Sequence, residues 1–202
     1  MVNPAAAPDE TGEWLELYNA GDVAVNLDGW QLADLDSDRH VIVGEYWLQP
    51  RAYIVLGREN DVNANGGVAV AYEYDGLALA NEADELLLLT PWGTETDRLH
   101  WGEGTPLRVP KGASLERTGF GEPANWAEAA RPWPGSAGDF GSPGTSYAPP
   151  PTITETPTDA PTETPLLLPT PTQEPPEQVP PIHLSEIMAN PAAVADEAGE
   201  WL

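Results

Sequence analysis

The chain has 202 residues, 41% of them hydrophobic, with 23 prolines, 19 glycines and no cysteine. Eight Lys and Arg against 33 Asp and Glu give a formal net charge of -25, and no Lys or Arg follows Arg131. Such a field repels phosphate backbones and anionic lipid, which argues against nucleic-acid or membrane-surface partners, and no thiol is present as nucleophile or soft metal ligand. No apolar run reaches the roughly 18 residues a membrane helix needs, so membrane insertion is not expected.

Residues 1–12 read as a loop. Leu15 and Leu17 then alternate with Trp14, Glu16 and Tyr18, the two-residue period of a strand with one buried face. Asn19-Ala20-Gly21-Asp22 is turn chemistry, and Val23, Val25 and Leu27 alternate again. Asp28-Gly29 predicts a bulge or tight bend before Trp30-Gln31-Leu32. Tyr53 to Leu56 forms a further strand, and Asn65-Gly66-Gly67 a turn into a strand over 68–72. Leu86 to Leu89 is apolar on both faces, as expected of a central strand covered twice. Arg98 to Trp101 and Ala113 to Arg117 are the last strands expected before a loop-rich wrap over 119–147, anchored by Trp126 and Trp133. Many short strands and no helix signal predict an all-β, antiparallel sandwich.

Residues 188–202 repeat residues 1–15, with 11 of 15 positions identical, and Met1 aligns with Met188 inside the second copy. The repeat predicts a piece of a longer protein. On this reading residues 1–148 are a sandwich lacking its own first strand and 149–181 a disordered Pro/Thr/Glu-rich linker; 182–202 open a second module.

The landmarks Leu184 to Met188, Gly12 to Asn19, Leu27 to Leu32, Asn63 to Val68, Leu79 to Leu86, Gly112 to Arg117 and Asn125-Trp126 together resemble the lamin tail domain family, in its bacterial extracellular form. The resemblance implies an immunoglobulin-like sandwich and a non-catalytic module. It further implies an extracellular or cell-surface location and a protein or cell-surface component as partner. The expected function is a structural or interaction module in tandem. The alternatives are an accessory domain of an extracellular nuclease or phosphatase whose catalytic part lies elsewhere, and a calcium-dependent adhesion module.

Asp34, Asp36 and Asp38 alternate and Glu45 falls twelfth from Asp34, as in a calcium loop, but Arg39 stands where that loop needs glycine. Asp61, Asn63 and Asn65 precede a correctly placed Gly66, yet Tyr72 takes the position of the bidentate glutamate. Both stretches have a simpler reading as polar turns, and calcium is the one cofactor considered. No nucleophile, base and orienter occur together, so no catalytic residue is assigned; His100 is expected with Arg98 on the polar face opposite Leu99 and Trp101. Trp14 and Tyr18 either form an exposed aromatic recognition patch or are covered by later loops. Ile182, Leu184 and Ile187 are read as a strand that pairs with the open edge of the first module, within the chain or in a second molecule as strand-swapped self-association.

Overall fold

The computed structural model describes residues 4–119, 125–145 and 180–188. The expected linker over 149–181, except Pro180 and Pro181, and the repeat over 189–202 lie outside the described residues. Among the described residues a short helix, α1 (Asp9–Gly12), precedes twelve strands. In chain order they are β1 (Trp14–Asn19), β2 (Val25–Asn26), β3 (Gln31–Ala33), β4 (Arg39–Val41), β5 (Trp47–Leu48), β6 (Tyr53–Gly57), β7 (Tyr72–Glu73), β8 (Asp84–Leu89), β9 (Glu95–Trp101), β10 (Leu115–Gly119), β11 (Asn125–Glu128) and β12 (Ile182–Met188).

Two sheets face each other in an immunoglobulin-like sandwich. One has six strands in the order β11-β10-β12-β1-β6-β7, the other four in the order β4-β3-β8-β9, and β2 and β5 form a small ribbon. Leu15, Leu17, Leu56, Leu115, Leu184 and Ile187 from the first sheet meet Trp30, Leu32, Leu86, Leu88, Leu99 and Trp101 in a single core. The period-two pattern thus places the predicted inward residues inward, and Arg98 and His100 stay exposed opposite Leu99 and Trp101. Leu87 and Leu89 form a separate cluster with Ala33 on the outer face of β8, which accounts for its unbroken apolar run.

Several details differ from the sequence expectation, beginning with the one-turn helix α1 inside the segment 1–12 that reads as a loop. The segment 119–147 is not all loop, because Asn125–Glu128 pairs with β10 as β11. Residues 68–71 are not strand: only Tyr72–Glu73 joins the sheet, and it lies parallel to β6 rather than antiparallel. The cause is the turn before it, where Asn65 holds the chain by its side chain and the return to the sheet is delayed. Strands β4 and β5 carry little apolar alternation of their own, and the neighbours they pair with define them.

The outer face of the six-stranded sheet is also covered. Trp14 and Met188 pack there with Val55, Val68 and Trp133. Trp133 donates its indole N–H to the Gly67 carbonyl at 2.9 Å and meets the Trp14 ring edge-on at 6.0 Å. The contact requires glycine at 67: its φ is +91°, and a Cβ there would collide with the Gly135 carbonyl oxygen.

Candidate functional site

The centre of the six-stranded sheet is β12, held between β1 and β10. Trp14 opposes Met188, Leu15 opposes Ile187, Glu16 opposes Glu186, and Leu17, Tyr18 and Asn19 oppose Leu184, His183 and Ile182. On the other side Leu115 and Glu116 oppose Ile187 and Glu186. Ser185 has no opposite residue, so a β-bulge sits there. The bulge explains why the apolar residues of this strand are spaced by two and then by three: Ile182 and Leu184 face the core, Ser185 is the extra residue, and Ile187 faces the core again. All three are fully buried. Their burial contributes on the order of 1.5–3 kcal/mol each before ordering costs. Pro181, read as the end of the linker, already belongs to the folded unit, because its carbonyl accepts the Ala20 N–H at 2.9 Å.

The same register aligns three glutamates in one row on the covered face: Glu16 of β1, Glu186 of β12 and Glu116 of β10. All three are buried. The segment 141–144 closes over them. Ser142 donates its backbone N–H to both carboxylate oxygens of Glu186, at 3.1 and 3.2 Å, and Gly144 donates its N–H to Glu16 Oε2. Gly141 has no room for a side chain, since a Cβ would stand 2.6 Å from Glu186 Oε1. Burial, reinforced by the Glu186 charge, pushes the Glu16 carboxyl up to about 9. Burial likewise pushes Glu186 up to about 7, with Glu116 adding to it. Glu116 is raised by burial too, against a hydrogen bond from Ser142 that lowers it.

At the other end of β12 an ion pair ties the two sheets together. Arg117 of β10, wholly buried, donates through Nη2 to both carboxylate oxygens of Asp97 on β9, each at 2.7 Å, and its guanidinium lies 5.2 Å from the Trp126 ring centroid. Asp97 also accepts the backbone N–H of Leu184 at 2.9 Å and has His183 Nδ1 at 3.4 Å. Burial pushes this carboxyl up, but the His183 hydrogen bond and the Arg117 charge outweigh it and hold it below its ordinary value.

The other residues singled out in the sequence do not converge here. Trp14 is fully buried, so it forms no exposed patch with Tyr18; the 64–70 and 133–145 segments cover its face of β1 because the six-stranded sheet has apolar side chains on both sides. Tyr18 is half-buried, its ring 4.6 Å from that of Tyr53. Of the first calcium candidates, Asp34 accepts the Asp38 N–H, Asp38 accepts the Ala78 N–H, and Asp36 and Glu45 are exposed. Asp61 accepts both the N–H and the side-chain amide of Asn63. Asn65 is buried and spends its amide on the Glu59 and Val68 carbonyls and its oxygen on the Gly67 and Val68 N–H groups. Among the described residues no three His, Asp or Glu side chains stand around a common point suited to a metal ion. Both stretches are turns that satisfy their own backbone.

The glutamate row was not singled out in the sequence. Its signal is a glutamate in mid-strand in each of Trp14-Leu15-Glu16-Leu17, Ser114-Leu115-Glu116-Arg117 and Leu184-Ser185-Glu186-Ile187. Each alone reads as an outward polar residue, and only the register brings them side by side.

Residues 1–103 match the model of the lamin tail domain family, which covers half of the chain. The chain belongs to the lamin tail domain family. No curated protein matches it. Lamin tail domains are non-enzymatic immunoglobulin-like domains, in keeping with the sandwich described above. Strands β10, β11 and β12 lie beyond the matched segment of this lamin tail chain.

Proposed function

We propose that this chain is a non-catalytic structural and interaction module from a tandem array of lamin tail domains on an exported or surface bacterial protein. Its partner on this reading is a protein or a cell-surface component. The observation that carries the proposal is the repeat itself: residues 188–202 restate residues 1–15, and the strand directly upstream of that restatement fits the sheet of the first module. A unit that can be joined through a strand and spaced by the 33-residue linker 149–181, with its twelve prolines, suits an array, which gains reach and avidity from many weak sites. The strongly acidic composition keeps such an array soluble and favours basic or cationic partners.

The test is the coding sequence on both sides of this stretch. The expected result is further lamin tail modules with an export signal or surface anchor. A neighbouring domain with a metal or nucleophile constellation would overturn the scaffold reading and make these modules accessories of an enzyme.

A further inference from the structure

We propose that the slot between β1 and β10 is an acceptor groove that takes the strand 182–188 from a second copy of this chain, and that Glu186 is the residue by which the groove recognises that strand.

The geometry of the slot supports an exchangeable occupant. β12 pairs along its length with β1 and at two positions with β10, so an empty slot would expose two facing strand edges and the underside of the core. The strand is joined to the sandwich only through residues 146–179, far away in sequence. Its downstream neighbours, 188–202, repeat the residues that lead into β1. A strand placed directly before residues 1–15 would therefore reach the same slot of its own module that β12 fills here. One strand thus suits two slots, and which module it completes is decided by competition between linkages, as in domain swapping.

Recognition lies in the pattern of the strand. The inner face requires apolar residues at 182, 184 and 187, a phase that only a bulge at Ser185 allows. The outer face requires Met188 beside Trp14 and a carboxyl at 186. That carboxyl enters a prepared seat: the Ser142 N–H and hydroxyl reach it, and Gly141 leaves it space. An arbitrary apolar strand would leave the Ser142 N–H without its acceptor, at a cost typical of an orphaned buried group.

The seat also makes exchange depend on pH. Among the described residues the titratable groups facing Glu186 and Glu16 are each other, Glu116 from β10 and Tyr53 from β6; the covering segment contributes N–H groups and the Ser142 hydroxyl. With the groove empty, Glu16 and the Glu186 of a free strand face water and ionise in the ordinary carboxylate range. Docking buries both and raises their affinity for protons, so docking takes up protons. Binding is strongest below the ordinary range and is lost as pH rises through about 7 and then about 9.

This inference deepens the array reading, and the two fail separately, since flanking sequence decides the array and cross-linking decides the exchange. Tyr18 and His183 are paired across β1 and β12, and the chain has no cysteine, so a disulfide between these positions reports strand docking alone. Full-length Tyr18→Cys and His183→Cys chains, carrying tags of different mass, are unfolded together, refolded at high concentration and oxidised. A disulfide-linked heterodimer is expected, whereas a mixture that stays monomeric overturns the proposal. A second measurement titrates a labelled peptide of residues 180–188 into full-length Leu184→Glu, whose own strand cannot fill the groove. Binding is expected to weaken at least tenfold from pH 6 to pH 8, and a Glu186→Gln peptide to show a shallower dependence, the remainder being set by Glu16 of the groove. Equal binding of a Glu186→Ala peptide at pH 6 would overturn the role of Glu186.

Discussion

Glu16 and Gly67 show how much a single position can carry in this fold. Glu16 sits in a strand whose two faces are both covered, so its carboxyl is held neutral well above its ordinary range, by burial first and by Glu186 second. A folded-state value raised above the unfolded one contributes stability that is complete below the unfolded value and is lost as pH climbs toward the folded one. Glu16→Gln keeps the acceptor for the Gly144 N–H and removes the titration. The variant is expected to be more stable than the parent at pH 8 by roughly 1–3 kcal/mol, and about equal to it at pH 4.5, as read from urea melts at the two pH values. Gly67→Ala acts through sterics instead. Its methyl group meets the Gly135 carbonyl in a left-handed backbone conformation, so the 133–145 cover must move away from Trp14. A loss of about 2–4 kcal/mol is expected, with Trp133 fluorescence shifting to the red.

At the scale of the element, β12 teaches what sequence patterns carry. Ile182, Leu184 and Ile187 were legible as a strand because they are apolar and flanked by polar residues, yet their uneven spacing contradicts a plain two-residue period. The bulge at Ser185 resolves the contradiction. Removing Ser185, the extra residue, is therefore expected to be tolerated about as well as Ser185→Ala. Deletion leaves Ile182, Leu184 and Ile187 in plain alternation on the inner face with Glu186 outward, so β1 amides should keep their protection from hydrogen exchange in both variants; an alanine inserted between Glu186 and Ile187 would turn Ile187 outward and should abolish it. The turns were legible for the opposite reason. Asn19 and Asn65 each have a glycine within the next two residues, and each satisfies its own loop through side-chain amide bonds, so local chemistry decides local structure. The two acidic stretches at 34–45 and 61–65 behave likewise, spending their oxygens on nearby N–H groups. Millimolar calcium is accordingly expected to leave the melting temperature unchanged, and a rise of several degrees in a calorimetric scan would contradict this. What stayed illegible needs register. The pairing of Glu16, Glu116 and Glu186, the partnership of Asp97 with Arg117, and the burial of Trp14 depend on residues 20 to 170 apart in the chain being neighbours.

Across the whole molecule these buried charges set opposing limits on stability. Asp97 binds Arg117 and the β12 backbone in its ionised form and is held below its ordinary value, so its contribution is present above the ordinary carboxylate range and fades as pH falls through the lowered value. Glu186 and Glu16 act with the opposite sign, since each is stabilising while protonated and becomes costly as pH passes about 7 and about 9. The net charge of -25 near neutrality adds self-repulsion that grows in the same alkaline direction. The fold is therefore expected to be most stable near pH 5, with a melting temperature that falls steadily from there to pH 9. Calorimetry across that range checks the curve, and Glu16→Gln together with Glu186→Gln should flatten its alkaline limb while leaving the acid limb in place. Asp97→Asn should do the reverse at the acid end, and at pH 7 it should cost about 3 kcal/mol, because it leaves the wholly buried Arg117 without its counter-charge. The two limbs meet on β12: Asp97 grips it through the Leu184 N–H near one end and the glutamate row clamps it near the other, so the pH at which the sandwich is firmest is also the pH at which it holds this strand most tightly.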